Sequence, residues 1–459
     1  MFYKTSQFNE YLGTGENGHI IYNNFSGAMV EISKFIYDSL IEGNISAINN
    51  QNIVSDLLKG RFIVEEMEDE LATLIMKRNQ RRDENRYIGL QILPTLACNF
   101  KCIYCYEGNT HDGKTISRNV IEAIVDYVNK TIKPTTKFIS VAWYGGEPLL
   151  ALGSIREISE ELIKISEKKG CEYIASVITN GFLLTKENIN ILKKLKTNIC
   201  QITLDGPRHV HNHMRPLKNG LGTYDIIIQN IKYAIEAGMD VHIRVGVTRS
   251  NAGSLKELVS DLQAEGILPR VRLKYALIDV FGKACKDMTD DILEIPEAGE
   301  ILKAYNLVDF KREKVERDVP RFEGCVAETP SSLIIGPEGE LYKCSKTIGD
   351  KDEIAGTIFK VDKNHPNFKK WSLDDRFSDI QCGKCSMVPI CAGKGCPYDI
   401  IIKNKGKIQC EYSKRHQNHL DFLRLLYEDK ISRRTNNGSG RAKIYKKGGE
   451  KGGKAGLDI

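Results

Sequence analysis

The chain has 459 residues, 41% hydrophobic and 27% charged, with a formal net charge of +6 and 13 cysteines. These are the proportions of a globular chain of two or three domains, and its apolar runs fall well short of the roughly 18 residues that cross a bilayer. Eight basic and two acidic side chains within residues 431–459 supply the whole positive surplus, so residues 1–430 sum to zero and offer no basic surface for nucleic acid.

The N-terminus, MFYKTSQFNEYLG, has no apolar core followed by a small-residue cleavage site, which predicts a cytoplasmic protein with no membrane partner. HIIYNNFSGAMVEIS (19–33) then sets two β-prone runs around Asn23-Asn24 and Ser26-Gly27, a hairpin signal. Helical spacing follows in EISKFIYDSLIEG and NNQNIVSDLLKG, so residues 1–83 are expected to form a separate winged-helix-like module. The charged run 76–86 reads as a linker or a solvated helix.

From Tyr87 the rhythm changes. YIGLQILPTLA, FISVAWYGG, YIASVITNG, ICQITLDG, VHIRVGVTRS and RVRLKYALID read as strands, each separated from the next by a helical segment. Six strands so spaced predict α/β architecture with parallel βαβ units over residues 87–310, either an open doubly wound sheet or an incomplete barrel. Ligands gather at the C-terminal strand ends in both, and ACNFKC, YGGEP, TNG, LDG and TRSN all fall there. Over residues 311–430 the alternation stops, leaving the strand hints SSLIIG and ELYKC among cysteines and glycines. So weak an apolar pattern calls for another source of stability, which metal ligation supplies. Residues 431–459, rich in Gly, Asn and Ser, are expected to be a disordered basic tail.

Cysteines in a chain without a secretory signal point to metal or redox chemistry rather than disulfides. Cys98, Cys102 and Cys105 lie in LACNFKCIYCYEG (96–108), seven more lie between 325 and 410, and Cys171, Cys200 and Cys285 stand apart. Three thiolates on one short loop leave two readings open. One is a zinc site completed from elsewhere; the other is a [4Fe–4S] cube with three irons held and the fourth open. In YGGEP, Gly145 and Gly146 permit close backbone approach and Glu147 suits an ammonium, although such a turn also ends ordinary strands.

At these residues the chain resembles the radical S-adenosylmethionine (SAM) enzymes. CNFKCIYCY is similar to their cluster loop. The resemblance implies that the catalytic Cys98, Cys102 and Cys105 hold a [4Fe–4S] cluster whose open iron takes the amino and carboxylate groups of SAM, with Tyr104 packing above. YGGEP resembles the motif whose backbone and acidic residue bind the SAM amino group, which implicates Gly145, Gly146 and Glu147. ITNG resembles the segment beside the SAM ribose and makes Asn180 a candidate contact. ITLDGPRHVHNHMRP resembles a further stretch of the family, so Thr203, Asp205 and Arg215 are candidates for ribose or carboxylate, as is Arg244 in HIRVGVT. A structural turn or salt bridge is the competing reading at each. His209, His211 and His213 alternate in strand-like fashion, but the resemblance implies no ion there.

The later cysteines are Cys325 and Cys344, with Gly339 between them, then Cys382, Cys385, Cys391, Cys396 and Cys410. They resemble a SPASM domain, with four rather than three residues between Cys391 and Cys396. This implies two auxiliary [4Fe–4S] clusters, three clusters in all. Cys382, Cys385, Cys391 and Cys410 would hold one; Cys325, Cys344 and Cys396 would hold the other, its fourth ligand unassigned and its open iron suited to a substrate thiolate. Structural zinc is the alternative.

SPASM enzymes mature sulfatases, crosslink ribosomal peptides or build peptide-derived cofactors. The sulfatase maturases carry Asp directly after the second SPASM cysteine, where this chain has Ser345. Residues 1–83 resemble the element by which peptide maturases bind a leader as an added strand, with residues 27–32 as the expected edge; a structural cap is the alternative. The expectation is thus an α/β fold with a partial (β/α)6 TIM-like barrel, a leader-recognition module and a SPASM domain. The activity implied is that of an oxidoreductase joining a Cys sulfur to a carbon of a leader-bearing precursor peptide, served by an electron donor such as flavodoxin or ferredoxin. Sulfatase-type oxidation, another C–C or C–O peptide crosslink, and a non-enzymatic zinc-stapled binding module stand as alternatives.

Overall fold

The computed structural model describes residues 2–83, 86–105, 113–278, 291–293, 325–372, 377, 380–391, 396–406, 410, 416–417, 419–424 and 426–428. They fall into two compact units. The first takes in Met1–Arg81 and Leu373–Ile459, the second Arg82–Val308 and Cys325–Ser372. Cys285 and the basic tail 431–459 lie outside the described residues.

In the first unit, β1 (Tyr3–Thr5), β2 (Asn9–Thr14), β3 (His19–Asn23) and β4 (Met29–Ile32) precede α1 (Lys34–Ile41) and α2 (Gln51–Lys59). β5 (Ile63–Glu65) and α3 (Glu70–Asp83) follow. The hairpin predicted at 19–33 is β3 and β4, antiparallel with Ile21 opposite Val30. β2 pairs with the other side of β3, making a three-stranded sheet, while β1 pairs separately with β5. Ser33 caps α1 by accepting from Ile36 N, and Asn50 caps α2 by accepting from Asn52 N and Ile53 N, as short polar side chains at N-caps do.

The side-chain period of two gives this sheet two apolar faces. Ile21 and Ile32 pack with Ile36, Leu40, Val54 and Leu57 of the helices. Leu12, Ile20 and Tyr22 face the other way, onto Phe422 and Leu423 of the helical residues near the C-terminus.

The second unit carries six strands in chain order, β6 (Tyr87–Thr95), β7 (Phe138–Gly145), β8 (Glu172–Thr179), β9 (Thr197–Thr203), β10 (Asp240–Val247) and β11 (Arg272–Leu277). Each runs parallel to the next. The crossovers contain α4 (Arg118–Thr131), α5 (Leu152–Lys169), α6 (Lys186–Lys194), the short α7 (Arg208–Met214), α8 (Tyr224–Glu236) and α9 (Leu255–Ala264). Of the two architectures the periodicity left open, this is the partial barrel that the resemblance implied. β12 (Leu333–Ile335) adds to it in parallel beside β6, and β13 (Leu341–Tyr342) pairs antiparallel with β12. SSLIIG and ELYKC therefore extend the central sheet.

One face of the sheet is apolar at every second position. Ile88, Leu90 and Ile92 of β6, Ile139, Val141 and Trp143 of β7, and Ile243 and Val245 of β10 are buried against the helices. The intervening positions are more polar: Gln91, Ser140, Ser176, Gln201 and Arg244. No helix among the described residues is long and apolar enough to cross a membrane.

Candidate functional site

The C-terminal end of β6 runs into the cysteine loop, and the end of β7 receives it. Gly146 N donates to Thr95 O at 3.2 Å and Glu147 N to Ala97 O at 2.8 Å. A Cβ on Gly145 would run into the carbonyl of Thr95, and one on Gly146 into those of Leu96 and Ala97; Gly145 also has φ +110°. Both glycines are thus required for the loop carrying Cys98 to lie against the β7 end.

Glu147 is fully buried. Its Oε1 accepts from Leu149 N at 3.1 Å and Thr179 Oγ1 at 2.8 Å, and its Oε2 from Asn180 N at 2.8 Å. Each carboxylate oxygen has two lone pairs, so Oε2 keeps one for a further donor. Burial pushes this carboxyl up, opposed by the hydrogen bonds it accepts.

Asn180, at the end of β8, turns its amide onto the cysteine loop. Nδ2 donates to Asn99 Oδ1 at 2.8 Å and stands 3.9 Å from Cys98 Sγ. Asn180 Oδ1 accepts from Phe182 N at 3.0 Å.

On the other side of the loop, Tyr104 Oη donates to Asp205 Oδ2 and accepts from Arg215 Nη1. Arg215 Nη1 also lies 3.7 Å from Asp205 Oδ2. Asp205, just past β9, is fully buried, and its Oδ1 accepts from Gly246 N of β10 at 2.8 Å. Asn251 Nδ2 holds Asp205 O at 2.7 Å and Gly246 O at 2.6 Å. Arg215 is nearly buried and paired with Asp205, and its Nε makes no hydrogen bond, which leaves one donor for a further acceptor.

Of the sequence candidates, Cys98, Tyr104, Gly145, Gly146, Glu147, Asn180, Asp205 and Arg215 are linked by these contacts, while within the loop Cys105 N donates to Cys102 O at 3.3 Å. Thr203 and Arg244 are register partners on β9 and β10, immediately before the Asp205–Gly246 contact. The Arg244 guanidinium makes no hydrogen bond or ion pair with a described residue. The histidine triplet is not strand-like: all three lie on α7. His211 is buried and its Nδ1 accepts from Asp205 N at 3.3 Å, while burial holds it well below the usual histidine range. His209 and His213, two positions either side, turn to the opposite face.

Asn99, Thr179 and Asn251 lie inside CNFKC, ITNG and TRSN, yet nothing in those stretches singles them out. Their only signal is position, each polar and at a strand end.

Burial pushes the Cys98 thiol up to about 11, and burial raises Cys102 as well. Such thiols are protonated near neutral pH until a metal displaces the proton. Among the described residues no three His, Cys, Asp or Glu side chains converge closely enough to hold a single metal ion. The cysteine loop and its three thiols fit a cluster, which spreads its ligands over the corners of a cube.

The later cysteines divide between the units. Cys325 and Cys344 stand in the second. Cys382, Cys385, Cys391, Cys396 and Cys410 stand in the first, where burial raises the Cys385 thiol and Cys391 and Cys410 lie near enough to raise it further.

Residues 92–262 match the radical SAM superfamily. The radical SAM cyclopropyl synthase TigE of Paramaledivibacter caminithermalis is 20% identical over 424 residues, 82% of this chain and 86% of its own length. A cysteine-type anaerobic sulfatase-maturating enzyme of Clostridium perfringens is 24% identical over 340 residues, 67% of this chain and 88% of its own. Among solved structures, anSMEcpe with bound AdoMet and the Cp18Cys peptide aligns with a TM-score of 0.55 at 20% identity, covering 76% of this chain and 99% of that one. The chain thus carries a radical SAM domain over residues 92–262 and is an enzyme, a radical SAM oxidoreductase; that domain implies a [4Fe–4S] cluster and SAM.

Proposed function

We propose that this enzyme crosslinks a ribosomally made precursor peptide by a thioether. The observation that carries the proposal is the convergence of Glu147, Asn180, Asp205 and Arg215 on the loop of Cys98, Cys102 and Cys105. Cys98, Cys102 and Cys105 hold the cluster. With SAM bound, such a cluster would supply the one-electron chemistry that generates a hydrogen-abstracting radical. Glu147 Oε2 takes the SAM ammonium, Arg215 its carboxylate, and Asn180, Thr203, Asp205 and Arg244 line the ribose and carboxylate.

The thioether forms as a C–H and an S–H bond are replaced by one C–S bond. One hydrogen would leave on 5′-deoxyadenosine, the thiol proton would go to a base, and the surplus electron would need an acceptor, the role an auxiliary cluster would fill. Cys382, Cys385, Cys391 and Cys410 hold one such cluster, and Cys325 and Cys344 contribute to another. The leader adds to β4, an edge of its sheet.

The test is anaerobic incubation of the iron-loaded, reduced enzyme with SAM and a cysteine-bearing candidate precursor peptide. The expected products are 5′-deoxyadenosine and a peptide lighter by two hydrogens with one thiol fewer; Cys98→Ala abolishes both. A chain that takes up zinc but neither iron nor sulfide overturns the reading.

The likeness to sulfatase-maturating enzymes supports a second reading, oxidation of a protein side chain without a crosslink. There the product keeps its sulfur out of any ring, and enzymic fragmentation of the peptide separates the two.

A further inference from the structure

Within the first unit, the turn between β3 and β4 touches the cysteine segment that follows residue 380. Asn24 is fully buried, and its backbone N–H and both polar atoms of its side chain have partners. Its backbone N donates to Phe8 O at 2.8 Å. Its Nδ2 donates to Glu10 Oε1 at 3.0 Å and to Ser386 O at 2.9 Å, the carbonyl next after Cys385. Its Oδ1 accepts from His419 Nε2 at 2.7 Å. Glu10 is itself buried, and its Oε2 meets His416 Nε2 at 2.8 Å. One amide thus joins the N-terminal hairpin, the cysteine segment and the C-terminal helical residues.

The segment it holds is a pair of tight turns. Cys385 N donates to Cys382 O at 3.2 Å and Cys391 N to Met387 O at 2.8 Å. Apolar contacts press the same segment onto the module: Cys382, Cys385 and Val388 pack with Phe8, Phe25 and Leu74. Asn24 and this apolar patch thus hold the turns from outside the segment.

We propose that the N-terminal module is part of the second auxiliary metal site, with Asn24 the positioning residue that fixes the Cys382–Cys391 ligand turns through the Ser386 carbonyl. This rests on the assignment of Cys382, Cys385, Cys391 and Cys410 as one ligand set. The donor set fits that assignment, since four thiols are what a fully ligated [4Fe–4S] cluster takes, and Cys391 and Cys410 lie within electrostatic reach of Cys385. A ligand whose supporting hydrogen bonds are lost binds metal less tightly, commonly by 10–100-fold.

The experiment uses the full chain carrying Cys98→Ala, Cys102→Ala and Cys105→Ala, so that any remaining cluster is auxiliary. Iron and sulfide per chain are counted after anaerobic reconstitution, and the reduced protein's EPR spectrum is recorded. Cys382→Ala in this background identifies the signal of the second site. Asn24→Ala and Asn24→Asp, which lack both amide donors, are expected to lose that same signal and roughly four irons, one cluster's worth. Leu423→Ala, which cuts the apolar packing of the same unit, serves as the folding control and is expected to lower the melting temperature yet keep the iron. The proposal falls if Asn24→Ala keeps the parent's iron and spectrum, or if Leu423→Ala loses as much. If the parent itself takes up no iron or sulfide, it is the ligand assignment that fails, whatever Asn24 does.

Discussion

Glu147 shows how a motif residue acquires its meaning from its surroundings. In the sequence it is an acid after two glycines; in the structure it is buried with three donors already on its oxygens. Burial holds its proton to higher pH than the usual carboxylate value of about 4.3. An ammonium pairs with the ionised form, so SAM affinity is expected to fall as pH drops through this raised value. In the SAM-free protein the sign reverses: a raised folded-state pKa contributes stability below the unfolded value, and this is lost as pH rises through the folded one. Glu147→Gln should therefore bind SAM weakly at every pH and flatten both dependences. Equilibrium dialysis of iron-loaded protein against SAM, with melting temperatures of the SAM-free protein over the same pH range, measures them together; a wild-type affinity flat in pH would remove the ammonium role. Cysteines and glycines at fixed spacing made this corner legible in the sequence. Asn99, Thr179 and Asn251 were not, because Asn and Thr at strand ends are commonly plain turn formers, and only the fold shows which of them reach across to a neighbouring strand end.

At the scale of elements, the six parallel strands were legible because each is a buried apolar run set off by an amphipathic helix. The shortest were not: β1 is YKT and β5 is IVE, too brief for any period to register, while β12, LII, showed only as the strand hint SSLIIG. The alternation within RHVHNHM misled for the opposite reason. Seven residues with three histidines mimic a period of two, yet they coil into α7 with His211 inside. The β3–β4 hairpin was legible, and its register sharpens the leader proposal. Asn23 N donates to Ala28 O at 2.9 Å. In an antiparallel ladder, bonded pairs alternate with unbonded ones, so Ile21 and Val30 bond each other while Met29 and Glu31 turn their backbone groups outward. Glu31→Pro removes an outward N–H from the edge and spares every bond to β3, a position where strands tolerate proline. It is expected to weaken leader binding by tenfold or more in fluorescence anisotropy with the labelled precursor peptide. SAM cleavage without peptide should stay at the wild-type rate. An unchanged affinity would move the leader away from β4.

On the scale of the molecule, the sequence suggests a module ending near residue 83 that could be cut away, and the packing argues against it. Leu12, Ile20 and Tyr22 on one face of the N-terminal sheet are buried by Phe422 and Leu423, some four hundred residues later in the chain. Periodicity shows that such a face exists but not what covers it, which is why this pairing was illegible. Fully burying side chains of this size is worth about 1.5–3 kcal/mol each, so three exposed together forfeit several kcal/mol. That is comparable to the whole stability of a small domain, about 5–15 kcal/mol, and an 83-residue piece sits at the marginal end of that range. Residues 1–83 expressed alone are therefore expected to lack a cooperative thermal transition. Joining residues 411–430 to them through a flexible linker should restore one, and Leu423→Ala in the joined form should lower its midpoint. Circular dichroism melts of the three proteins decide it. If residues 1–83 melt cooperatively alone, and as high as the joined form, the module is independent and the C-terminal helix only rests on it.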